Sequence, residues 1–214
     1  MTEKFLNSLG EPQTEVFNGE LKLRQAILPQ LKEGRGNFDL LHTEAVVYWM
    51  KWLLDNEPGL NKMVNPKVMI TASYAHDWGY VGLFKGVNSD DPKIIASRKP
   101  LHMQLGEQKI GELLGSDDFF GLYTEKEIKL TQHLVGKHDL VESLSGDAEI
   151  LIMEADTLGM LDAGRVKPSF SKADNQRFMI KEIGKRRTPR FIHSKAKEVL
   201  PELIAKRTEF YSLI

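Results

Sequence analysis

The chain has 214 residues, of which 41% are hydrophobic and 28% charged, with a formal net charge of −1 and no cysteine. This length can bury one substantial core, and the composition excludes intrinsic disorder. Without cysteine there is no disulfide, thiolate ligand or cysteine nucleophile, so any transition metal must be held by nitrogen and oxygen.

Charge is unevenly distributed. From Arg165 to Ile214 there are 13 Lys/Arg against 5 Asp/Glu, a net of +8, while residues 1–164 carry 16 against 25, a net of −9. Aromatic residues are sparse in the basic end, so it reads as a solvated helix face or a match to the acidic body in preference to a nucleic-acid surface. The opening Met1-Thr2-Glu3-Lys4-Phe5 lacks a basic stretch followed by an apolar run, and no segment is apolar for long enough to span a bilayer. A cytoplasmic location and no membrane partner are therefore expected.

Apolar spacing predicts helix after helix and no strand, an all-α chain. A first helix is expected from about Thr14 to Lys32, bent near Pro29 and broken by Gly34-Arg35-Gly36-Asn37. A second runs from near Asp39 to Leu54, where Glu57-Pro58-Gly59 stops it. The third follows Asn65-Pro66, with asparagine as cap, and carries apolar residues up to His76-Asp77, with Gly79 as its expected terminator.

Tyr80 to Lys99 is expected to be irregular, a candidate lid or binding loop. Pro100 is expected to open a fourth helix that holds His102 and ends near Gly115. Thr124-Glu125-Lys126-Glu127 has capping-box spacing and starts a fifth, running to about His138. The sixth, near Asp147 to Asp162, is the most apolar. Two basic helices follow, around Ser171 to Lys185 and from Thr188-Pro189, the latter with a kink at Pro201.

His42, the pair His76-Asp77 and Asp156 each lie in an otherwise apolar helical stretch, and His102 and His138 fall between the pair and the last aspartate. Four imidazoles and two carboxylates are a donor set for divalent metal. A carboxylate on an apolar helix must protonate, pair or bind a metal, and a buried hydrogen bond would satisfy Asp156 equally well. His76 and Asp77, about 100° apart on a helix, can share one ion or bridge two only beyond the helix end.

Three stretches together resemble the HD-domain superfamily of metal-dependent phosphohydrolases: Leu40-Leu41-His42-Thr43-Glu44, Ala75-His76-Asp77-Trp78-Gly79-Tyr80 and Glu154-Ala155-Asp156-Thr157-Leu158. The resemblance spans residues 38–164. It implies a single-domain helical bundle in which His42, His76, Asp77 and Asp156 hold one divalent ion (Mn, Mg, Fe, Co or Ni). His102 and His138 resemble the extra histidines that hold a second ion in some members. Asp77 would then bridge the two ions and is the candidate catalytic residue.

The implied organisation is an N-terminal helical extension over 1–37, the metal-binding core over 38–164, and basic helices over 165–214 packed on it. His133 shares a helix with His138, but five residues turn the two about 140° apart, so they do not share one face. His138, beside Asp139 near the helix end, matches the family context better, which leaves His133 a surface or packing residue. His193 reads as solvent-exposed, and His102 could alternatively be an exposed first-turn residue. The chain departs from the family in having Tyr80 where many relatives have lysine and Thr157 where arginine often follows the aspartate.

The resemblance implies hydrolysis of a nucleotide-like phosphomonoester or phosphodiester by metal-activated hydroxide, with Lys85, Arg98, Lys99 and Lys137 as candidate phosphate-binding residues. The same six ligands also resemble the HD-fold di-iron oxygenases. A non-catalytic, metal-stabilised module binding a nucleotide or a partner protein is the third reading.

Overall fold

A computed structural model describes residues 15–213 of the chain, and among these there is no strand. Its helices are α1 (Glu20–Leu31), α2 (Asn37–Asn56), the single turn α3 (Leu60–Met63), α4 (Pro66–Ala75), α5 (Pro92–Leu114), α6 (Glu125–Lys137), α7 (Asp147–Leu161), α8 (Lys172–Phe178) and α9 (Ser194–Ser212). A π-helical segment, Met179–Arg187, continues α8. The fold is all-α, as the apolar spacing predicts. No helix among the described residues is long and apolar enough to cross a membrane.

The core is centred on α2, which packs against α7, α4 and α1, while α6 lies against α5 and α4 and α9 covers α7. Trp49, Met50 and Leu53 of α2 meet Leu151, Ile152 and Leu158 of α7 and Met69 and Ile70 of α4, all essentially inaccessible to solvent. Helices α4 and α7 are buried on nearly every face, which explains their almost continuous apolar sequence. Where α7 crosses α2, a Cβ on Gly159 would lie 2.9 Å from the Val46 backbone nitrogen. Gly159 is one turn beyond Asp156 and Val46 one turn beyond His42, so this close crossing also brings those two polar residues face to face.

Several boundaries differ from expectation. Helix α1 starts at Glu20, not near Thr14, which lies outside the described residues; Glu15 to Gly19 are not helical. The stretch expected to be irregular is so only over residues 81–91 and is helical from Pro92: Asp91 caps α5 by accepting from the Lys93 N–H, and Pro92 occupies its first turn. Asp91-Pro92 is the same cap-and-proline signal as Asn65-Pro66, whose asparagine accepts from Lys67 and Val68. Pro100 is therefore inside α5, and His102 is nearly three turns beyond its start.

Gly79 does not terminate α4, which ends at Ala75. Its role is close approach, since a Cβ there would sit 1.8 Å from the His102 carbonyl oxygen. In the basic end, α8 gives way to the π-segment, and the last helix starts at Ser194, after a 3-10 turn over Thr188–Arg190, with Pro201 inside it.

Candidate metal centre

Six side chains from five places in the chain converge beneath one cavity: His42 from α2, His76 and Asp77 from the end of α4, His102 from α5, His138 from the end of α6 and Asp156 from α7. All six are buried. They form two groups, His42, His76 and Asp156 in one, and Asp77, His102 and His138 in the other, each with donor atoms within 4.8 Å of one another.

In the first group His42 Nε2 lies 3.0 Å from Asp156 Oδ1 and 3.2 Å from His76 Nε2. In the second, His102 Nε2 lies 3.3 Å from His138 Nε2, and these two lie 3.5 and 3.7 Å from Asp77 Oδ1. The other Asp77 oxygen, Oδ2, faces the first group, 3.5 Å from His76 Nε2 and 3.7 Å from His42 Nε2. Asp77 thus offers one oxygen to each group, the placement expected of a bridging carboxylate.

The donor set fits metal ions on its chemistry. His76 Nδ1 donates to the Ser73 carbonyl (2.8 Å) and His138 Nδ1 to the Val135 carbonyl (2.9 Å), which leaves the Nε2 of each neutral ring as an inward lone pair. Each lone pair faces another imidazole and a carboxylate, a set poor in donors that a cation satisfies. With metal–ligand bonds of about 2.0–2.2 Å, neighbouring ligand atoms stand about 3 Å apart, close to the shorter spacings seen here.

The electrostatics favour ligation. Burial holds His76 below the ordinary histidine range and His102 down to about 4, despite the nearby Asp77. Burial opposes the proton on His138 too, but the carboxylates of Asp77, Asp139 and Asp156 together outweigh it and raise that ring, so a metal there would have to displace a proton. Burial also works against the Asp77 charge, yet His76, His138 and Arg35 together hold the carboxylate well below its usual range.

Neighbouring residues hold the side chains of the two groups in place. Arg187, at the end of the π-segment and 1% exposed, donates through Nη1 to Asp156 Oδ2 (2.7 Å) and Thr157 Oγ1 (3.0 Å), and through Nη2 to Asp139 Oδ1 (2.5 Å). Lys99 pairs with the other Asp139 oxygen at 2.9 Å. Arg35 donates to Asp77 Oδ2 (3.1 Å) and Asp39 Oδ1 (2.6 Å), sandwiched between the Phe38 and Tyr80 rings at 4.7 Å from each. Tyr80 stacks on His102 with centroids 4.0 Å apart and planes at 9°.

Of the four lysines and arginines expected to bind phosphate, Lys99 lines the cavity, whereas Lys85, Arg98 and Lys137 do not. Lys85 is exposed, Arg98 is turned about 100° from Lys99 around α5, and Lys137 pairs with Glu149 at 3.2 Å. His133 also bonds Glu149 (2.6 Å) on that outer face. His193 is not solvent-exposed: it is buried, with Nδ1 2.6 Å from Glu154 Oε2.

Arg35 and Arg187 are the contributors that sequence reasoning passed over. The spacing of Arg35 to Asp39, four residues apart across the break before α2, was a usable signal. Nothing distinguishes Arg187 among its basic neighbours in sequence.

The chain is thus a helical molecule with two His/Asp groups that can hold metal, compatible with an HD-like site. A scan of protein families, a search of curated proteins and a search of solved structures each return no match.

Proposed function

We propose that the protein is a metal-dependent phosphohydrolase acting on a phosphomonoester or phosphodiester, nucleotide-like in character. The observation that carries this reading is the cavity above the two groups. It is about 280 Å³ in volume and combines His42, Asp77, His138 and Asp156 with the cations Arg35, Lys99 and Arg187 and the apolar side chains of Phe38, Ile95, Phe170 and Phe178. Such a cavity suits an anionic group at its metal end and an apolar or planar group against its wall.

Divalent ions at this centre would supply Lewis acidity toward a phosphoryl oxygen and lower the pKa of water. The chain's own part is to bind and orient. Asp77 and Asp156 are kept ionised at neutral pH, Arg187 and Arg35 fix the rotamers of those carboxylates, and the backbone carbonyls of Ser73 and Val135 fix the tautomers of His76 and His138. The depth of the ligands restricts bulk water to the side facing the cavity.

The test is phosphate release from a panel of nucleotides and phosphate esters by protein loaded with manganese, magnesium, cobalt or iron. Turnover that requires added metal and disappears in His76→Ala is expected. Iron-loaded protein that consumes oxygen and releases no phosphate would replace this reading with the di-iron oxygenase that the same ligands could serve.

A further inference from the structure

Arg207 is a buried cation that the metal centre does not use. It projects from α9, is 3% exposed, and forms part of the wall of the cavity that holds His42, Asp77 and Asp156. Its Nε donates to Asn175 Oδ1 (2.8 Å) and its Nη1 to the Met160 carbonyl (2.6 Å), both neutral partners. The Phe178 and Tyr211 rings lie 5.2 and 5.9 Å from its guanidinium carbon.

The contrast with the other buried guanidinium groups of this cavity is direct. Arg35 pairs with Asp39 and Asp77, and Arg187 with Asp139 and Asp156, whereas no carboxylate among the described residues pairs with Arg207. Burial lowers its pKa to about 10, so it keeps its charge at neutral pH. A buried cation held only by neutral acceptors, with Nη2 making no hydrogen bond among the described residues, is preorganised for an anion. Lys181, exposed on the π-segment, lines the same cavity and likewise has no carboxylate partner among the described residues.

We propose that Arg207 and Lys181 form a second anion subsite, so that the substrate carries two anionic groups, the scissile phosphate at the metal centre and a further phosphate or carboxylate at Arg207. This rests on the phosphohydrolase reading above. Met160 follows Asp156 by four residues on α7, a rise of about 6 Å along the helix. A sugar ring or short carbon chain between the two anions spans a separation of that order, and the Phe178 ring flanks it.

The experiment uses the full chain loaded with manganese and two substrate pairs: adenosine 3′,5′-bisphosphate against adenosine 5′-monophosphate, and 6-phosphogluconate against glucose 6-phosphate. In Arg207→Met the kcat/KM preference for the doubly anionic member is expected to fall about 10- to 100-fold, through KM, with partial recovery in Arg207→Lys. The pair showing the larger loss identifies phosphate or carboxylate as the second group. Lys181→Ala, at an exposed position, is expected to lower the same preference severalfold and decides the matter if Arg207→Met does not fold by circular dichroism.

Turnover with unchanged preferences in these variants overturns the subsite and leaves the hydrolase reading standing. If the wild type hydrolyses nothing, calorimetric binding of the two doubly anionic probes separates the ideas. Binding that weakens in the variants keeps the subsite while the hydrolase reading fails; equal binding, or none, overturns the subsite.

Discussion

Asp77 presents its two carboxylate oxygens to two different sets of imidazoles, so one side chain couples both halves of the centre. Asp77→Asn is therefore expected to cost both ions, and activity by more than the roughly 10- to 100-fold typical of losing an outer partner. His102→Ala should lose only the ion of its own group, and His133→Ala neither. Metal content after gel filtration reads all three, and two ions retained in Asp77→Asn would refute the bridging role. Arg187→Met tests orientation: metal affinity is expected to fall about 10- to 100-fold. Thermal stability should also drop, since breaking a buried ion pair costs about 3–5 kcal/mol. That His42, His76, Asp77 and Asp156 come together was legible because a polar residue inside an apolar helix announces a partner, whereas His102 and His138 were reached through the family resemblance. Arg187 and Arg207 were not legible, because a long cationic side chain finds its partner in three dimensions, and the tail offers 13 such cations.

Among the elements, the cap signals and glycines explain both the successes and the misplaced boundaries. Thr124 and Glu127 form the capping box their spacing announces, with Glu127 Oε2 accepting from the Thr124 N–H at 2.8 Å. Pro100 misled because a proline can open a helix or sit within one, and the Asp91-Pro92 signal upstream had already begun α5. Burial alone would raise the Glu127 pKa, but hydrogen bonds from Lys67, Thr124 and Asn65 lower it to about 2. Its folded pKa is thus below the unfolded value of about 4.3. The stability it contributes is present above pH about 4.3 and is lost as pH falls through about 2. Glu127→Gln should accordingly flatten the dependence of melting temperature on pH within that window, and an unaltered slope would refute the linkage. Where α7 crosses α2, Gly159→Val should overpack the contact with Val46, costing about 1–3 kcal/mol. Because the same crossing sets His42 against Asp156, metal affinity should fall with melting temperature in this variant.

For the whole molecule, the charge asymmetry becomes contacts. Arg186 pairs with Glu142 at 2.6 Å, Arg187 with Asp139 and Asp156, and Glu57 accepts from Ser194 and Lys195. The expected match to the acidic body therefore reaches into the two His/Asp groups. The basic end also completes the core: Ile183, Val199, Leu200 and Leu203 are buried against it. Each such side chain contributes about 1.5–3 kcal/mol on burial. The four together amount to about 6–12 kcal/mol, comparable to the 5–15 kcal/mol net stability of an ordinary domain. Removing residues 165–214 also uncovers Asp156 and Asp139 without Arg187. The truncated chain is expected to lose its cooperative thermal transition and its metal together, and excess metal should not restore the transition. A truncated protein that melts cooperatively and still binds two ions would show that residues 15–164 fold and build the centre unaided.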